Sequence, residues 1–132
     1  MAIPIHGRLM ARDQAPFHVQ MTLEPRTNER GESELAGKVV RVFRTDGRIA
    51  AGDQISFGIY ICRPGDEPTG PAYIYEEAVA RAAFVEAYLF GAPPSCQLAA
   101  YEFMLIEAPT DQPMMNSEEL EQLLKYVGSQ GY

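Results

Sequence analysis

The chain has no tryptophan and only two cysteines and two histidines among its 132 residues. No apolar run is long enough to span a bilayer or to form the core of a signal peptide. Each scarcity excludes a class of protein. Cys62 and Cys96 are far apart, and neither His6 nor His18 stands at a ligand spacing to them, so no zinc pattern can be drawn. Without a leader or a span, the expectation is a soluble, cytoplasmic protein with no membrane contact. In such reducing surroundings both cysteines are expected as free thiols, with no disulfide. The glycines of 63–71 follow neither a phosphate-loop nor a dinucleotide pattern, so no cofactor is expected. No dense His/Asp/Glu/Cys constellation exists. No catalytic or metal-ligating residue is therefore assigned, and the reading leans away from an enzyme.

What is present is ordinary for a folded domain. Hydrophobic residues make up 46% and charged residues 22% of the chain, with seven Tyr and six Phe as bulky core material. The length fits one domain over residues 1–132, long enough to build a core without staples. Net charge is −7. A polyanion is bound by Lys and Arg neutralising its phosphates, so nucleic acid is a poor partner for this chain. The charge is uneven. Residues 1–63 hold nine basic and seven acidic side chains, net +2; residues 64–132 hold two and eleven, net −9. Either helices expose acids in the second half, or a mildly basic face in the first half meets an anionic ligand.

Phe17 to Glu24 alternates apolar and polar at every step, which predicts a half-buried strand ending at Pro25. Residues 25–34 read as an exposed loop. Lys38 to Thr45 is β-branched and aromatic, a second strand with Val40 and Val42 inward and Val39, Arg41 and Phe43 on the other face. Asp46-Gly47 turns the chain. Gln54 to Cys62 is a third strand, paired with the second as a hairpin. Ile55, Phe57, Ile59 and Ile61 face its core, and Gly58 marks a bulge or bend. Residues 63–71 form a loop. Glu76 to Phe90 is Ala-rich, opens with acids and is closed by Gly91, so it reads as a helix. Leu98 to Glu107 is a fourth strand with Glu102 as its odd member; Tyr101, Phe103 and Leu105 share one face. Asn116 to Val127 reads as a terminal helix, with Asn116 as N-cap. Residues 3–10 could add a further strand.

This order, three strands, a helix and a strand over about 17–107, resembles the oligonucleotide/oligosaccharide-binding (OB) barrel, which places a helix between its third and fourth strands. The pattern supplies four of that barrel's five strands. The expected fold is therefore β-rich α+β: a curved antiparallel sheet or a small OB-like barrel, with one packed helix and a short C-terminal helix. The resemblance implies a ligand face on the second and third strands and their flanking loops. That face would carry Arg41, Phe43 and Tyr60, with Val39 and Ser56 nearby and His18 at its border.

His18, Arg41, Phe43 and Tyr60 are thus the binding candidates. An arginine beside aromatic rings is a composition suited to ligands, although Val39 and Phe43 could equally lie under the terminal helix or in a subunit contact. His18 is the general-base candidate by residue type, but no nucleophile stands beside it. Glu102, on an apolar strand, is either a buried carboxylate with a raised pKa, as acid catalysts often are, or a residue at an edge position or with an arginine partner. The leading reading is a non-enzymatic binding or assembly module acting on a protein partner or on itself through an exposed sheet face. The alternatives are a small-molecule site or small enzyme around His18, Arg41 and Tyr60, and an OB-like oligonucleotide binder.

Overall fold

A computed structural model describes residues 5–65, 73–118, 121–123 and 125. The predicted loop over 66–71 and Glu119, Leu120, Leu124 and Val127 of the predicted terminal helix lie outside those residues.

Alternation builds the first strand. In Phe17–Thr22 (β1), Phe17, Val19 and Met21 point inward and are fully buried. The chain does not stop at Pro25. It continues past Leu23 into Glu24–Thr27 (β2), an edge strand where proline's missing N–H is tolerated. It then reverses through a turn at 28–32. Asn28 builds that turn: its Oδ1 accepts from the N–H groups of Arg30 at 2.9 Å and Glu32 at 3.0 Å. Ser33–Arg44 (β3) runs back antiparallel to β2. The expected loop over 25–34 is thus a hairpin.

β3 also pairs with β1, with two register shifts that leave Val40 and Phe43 without partners. These bulges reset the side-chain parity. Val39 lies opposite Met21 and Val42 opposite Val19, so Val39 and Val42 enter the core while Val40 is displaced. This corrects the predicted inward pair, Val40 and Val42, and removes Val39 from any exposed face.

Gln54–Gly58 (β4) pairs antiparallel with β3, as the hairpin signal requires. Ile55, Phe57 and Ile59 are buried, as predicted. The strand breaks after Gly58 and resumes as Tyr60–Cys62 (β5), which pairs in parallel with Tyr73–Tyr75 (β6). The predicted helix over 76–90 is the main correction. Only Glu76–Arg81 (α1) is helical; Ala82 is extended, and Phe84–Ala92 (β7) is a strand. Val85, Ala87 and Leu89 alternate inward and are fully buried, while Glu86 and Tyr88 point the other way. Ser95–Ile106 (β8) follows. The N-terminal segment is also corrected: Ile5–Gln14 is a helix (α2), not an added strand. At the other end Asn116 caps as predicted, its Oδ1 accepting from Glu118 N–H at 3.2 Å, and the backbone is helical at Glu118, 121–123 and 125.

The strands close into a ring of hydrogen bonds, β1-β3-β4-β8-β7 and back to β1, which gives a β-rich α+β fold. Four joints are antiparallel; β4 and β8 run parallel over only two residue pairs, Ser56↔Ser95 and Phe57↔Cys96. The strand that completes the ring, absent from the sequence reading, is β7. Ile74 of β6 and Val79 of α1 join the apolar core inside the ring. No helix among the described residues is long and apolar enough to cross a membrane.

Candidate functional site

Two regions of the surface concentrate polar chemistry. The first is a half-open groove of about 1270 Å³. It runs from the 28–32 turn, over the ends of β3 and β4, to the first residues of β8. The topology makes it. The β2–β3 hairpin reaches beyond the ring, and β4 and β8 separate after two pairs, leaving a cleft between them. Ser56 lies in the wall at 4% exposure, and its hydroxyl forms no hydrogen bond among the described residues. Thr27, Ser33, Tyr60, Ser95 and Gln97 line the rest. The groove's two arginines are already paired: Arg26 Nε is 2.6 Å from Glu34 Oε1, and Arg30 Nε is 3.2 Å from Glu32 Oε1. With Glu29 also present, two arginines face three glutamates. Cys96 sits here too, but burial pushes its thiol up to about 11, against a smaller opposing pull from Arg48. A thiol held protonated is a poor nucleophile.

The second region is the outer face of β1 and β7, which is buried rather than exposed. Glu86 is fully buried and accepts four hydrogen bonds. Gln20 Nε2 at 2.7 Å and Met114 N–H at 2.9 Å reach Oε1. His18 Nε2 at 2.9 Å and Met115 N–H at 2.7 Å reach Oε2. Burial alone raises this carboxyl's pKa, but the four bonds outweigh it and hold it below the usual carboxylate range. His18 stacks on Tyr88 with ring centroids 3.8 Å apart and tilts against Phe43 at 5.1 Å. The Tyr88 hydroxyl donates to Met115 O at 3.2 Å, and burial raises its pKa.

Glu102 lies next to this face. A bulge puts the four residues Ala99 to Glu102 opposite Tyr88 alone, with Ala100 and Tyr101 left-handed at φ 51° and 59°. The bulge turns Tyr101 out to solvent, off the face predicted for it together with Phe103 and Leu105, and sends Glu102 under α2. There it takes Arg8 Nε at 2.7 Å and Arg8 Nη2 at 3.0 Å, and Arg12 Nη2 at 3.4 Å. The odd carboxylate has arginine partners, as one of the two sequence readings required.

The four binding candidates divide between the two regions. His18 and Phe43 touch, and Arg41 sits opposite Gln20 with its Nη2 3.9 Å from Asp111 Oδ1. Tyr60 lines the groove, which none of the other three enters. His18 is buried, not on an exposed face. Sequence reasoning missed Glu86 and Tyr88 because their segment read as helix. It also missed Gln97 and Ser95, whose position depends on which strands meet. No group of three or more His, Cys, Asp and Glu able to hold a metal occurs among the described residues, and both cysteines are free thiols. No protein-family model matches the chain, and no curated protein matches it significantly.

Proposed function

We propose that the ring is an OB-type barrel serving as a non-enzymatic binding module, and that its ligand lies in the groove between the 28–32 turn and Ser95–Gln97. Five strands close it with a helix between the third and the fourth, the order that barrel has. The observation that carries the reading is the groove itself, with the Ser56 hydroxyl in its wall bonded to no other described group. A hydroxyl that reaches the cleft and is spent on no described protein partner can donate to and accept from a ligand there.

The ligand class follows from charge and size. The groove's arginines are bound to glutamates and its formal balance is negative, which repels polyanions. Hydroxyl and amide side chains with one tyrosine suit an uncharged, hydroxyl-rich chain such as a glycan. The volume exceeds the roughly 300–1,000 Å³ of common small-molecule sites and leaves room for several linked units. The test is amide chemical-shift mapping of the isotope-labelled chain against a panel of neutral oligosaccharides. Saturable shifts should centre on Ser56, Tyr60, Ser95 and Gln97 and weaken in Gln97→Ala. Shifts centred on Phe43 and Arg41 would move the site to the other face.

A further inference from the structure

The segment over 109–117 crosses the outer face of β1 and β7, and among the described residues it forms no main-chain hydrogen bond to the barrel. Side chains hold it instead. Gln20 Oε1 accepts from Thr110 N–H at 2.8 Å, and Gln20 Nε2 donates to Thr110 Oγ1 at 2.7 Å. Glu86 takes the consecutive N–H groups of Met114 and Met115. Arg12 Nη1 donates to Asn116 O at 3.1 Å. Of the segment's own side chains only Met115 is buried, in a small cluster with Ala15, Tyr88 and Ala99. Met114 is half exposed, and the Asp111 carboxylate stands in solvent.

We propose that residues 109–117 form a latch that opens as one unit while the barrel stays closed, and that its opening uncovers the His18–Glu86 pair. Three features argue for this. First, regions with few buried apolar contacts open at the low end of a protein's stability range, and here Met115 is the one buried apolar side chain among nine residues otherwise held by hydrogen bonds. The barrel strands beneath carry Val19, Met21, Val85 and Ala87, all fully buried. Second, lifting the latch lets water replace the lost donors at Glu86 and Gln20, so no charge is left buried and unpaired. Third, the two anchors are bonded to each other, Gln20 Nε2 to Glu86 Oε1 at 2.7 Å, so loosening one end weakens the other.

The uncovered face differs in kind from the groove. It pairs an imidazole with a carboxylate between two aromatic rings, with Arg41 alongside. It also unites three of the four residues that the sequence nominates for binding.

Native-state hydrogen exchange on the full chain tests the latch. The Thr110, Met114 and Met115 amides should share one opening, at least about a hundredfold more frequent than that of the most protected β1 and β7 amides and insensitive to low denaturant. Met115→Ala should speed Thr110 exchange at least about tenfold, although Thr110 is anchored on Gln20, outside the Met115 cluster. If all three amides exchange only with the barrel strands, the segment is an integral part of the fold and the proposal fails. If Met115→Ala speeds Met115 but not Thr110, the segment frays residue by residue and the unit does not exist.

Discussion

Glu86 accepts its four hydrogen bonds from four different residues, more partners than any other carboxylate among the described residues. His18 and Gln20 come from β1, while Met114 and Met115 come from the covering segment. Alanine there would strand four donors in a site that is closed to water. Glu86→Ala should therefore cost about 3 kcal/mol, read as the shift in urea unfolding. A loss near zero would mean that the cluster relaxes around the vacancy. The same residue sets a pH dependence. A carboxyl whose folded pKa lies below its unfolded value stabilises fully above the unfolded value, and its contribution disappears as pH falls through the folded one. The chain should hold near-constant stability down to about pH 4 and lose it below. Glu86→Gln should flatten that acid limb; an unchanged limb would assign it to other carboxylates. Cys96 behaves in the opposite sense. Its thiol stays protonated at working pH, so iodoacetamide at about pH 8 should label it in urea but scarcely in the native protein.

Between elements, the tightest of the described glycines is Gly37, where β3 passes the end of β1. A Cβ there would lie 2.0 Å from the Thr22 carbonyl oxygen and 2.8 Å from its Oγ1, and that oxygen already accepts from Lys38 N–H at 2.8 Å. Backbone cannot yield by that much while both strands stay paired. Gly37→Ala should cost at least about 3 kcal/mol, visible as a lower unfolding midpoint. Gly47→Ala has open space at φ +102° and should cost less. A loss at Gly37 no larger than at Gly47 would mean that the strands part easily. Legibility also divides at this scale. Strands with clean alternation, β1 and β4, could be read from the sequence because one buried face forces period two. β7 could not. Its apolar positions at 85 and 89 fit a helical stripe begun at Ala78 and Ala82, and the alanines carried helix propensity past Arg81. The counter-signal was Phe84, Glu86, Tyr88 and Phe90 against Val85, Ala87 and Leu89, an alternation bulky enough to prefer a sheet. The bulges in β3 and β8 left no local mark, because pairing across strands creates them.

For the whole molecule, the element order carried the barrel-like reading even with one strand hidden. Among the ring strands, β1, β3 and β4 precede the short helix α1 while β7 and β8 follow it; α2, β2, β5 and β6 lie outside the predicted order. The candidate site was less legible, since a groove formed where β4 and β8 part depends on tertiary pairing that no residue announces. The charge argument gains most from the coordinates. The excess of +2 in residues 1–63 suggested a basic face, yet the arginines behind it are engaged. Arg8 and Arg12 hold Glu102; Arg26, Arg30, Arg41 and Arg48 pair with Glu34, Glu32, Asp111 and Asp46. Arg44 spans carbonyls at the end of α2, including those of Arg12 and Ala15, and Arg63 lies 3.5 Å from Glu76. To bind phosphates, these cations would first have to leave carboxylates or carbonyls, within a chain of net charge −7. Addition of a short oligothymidine at about 0.15 M salt should therefore leave the amide spectrum unchanged, groove residues included. Saturable shifts at Arg26, Arg30 and Tyr60 that fade as salt is raised would show that the ion pairs open for phosphate. In that case the groove would remain the site, and its ligand would be a nucleic-acid strand instead of a neutral chain.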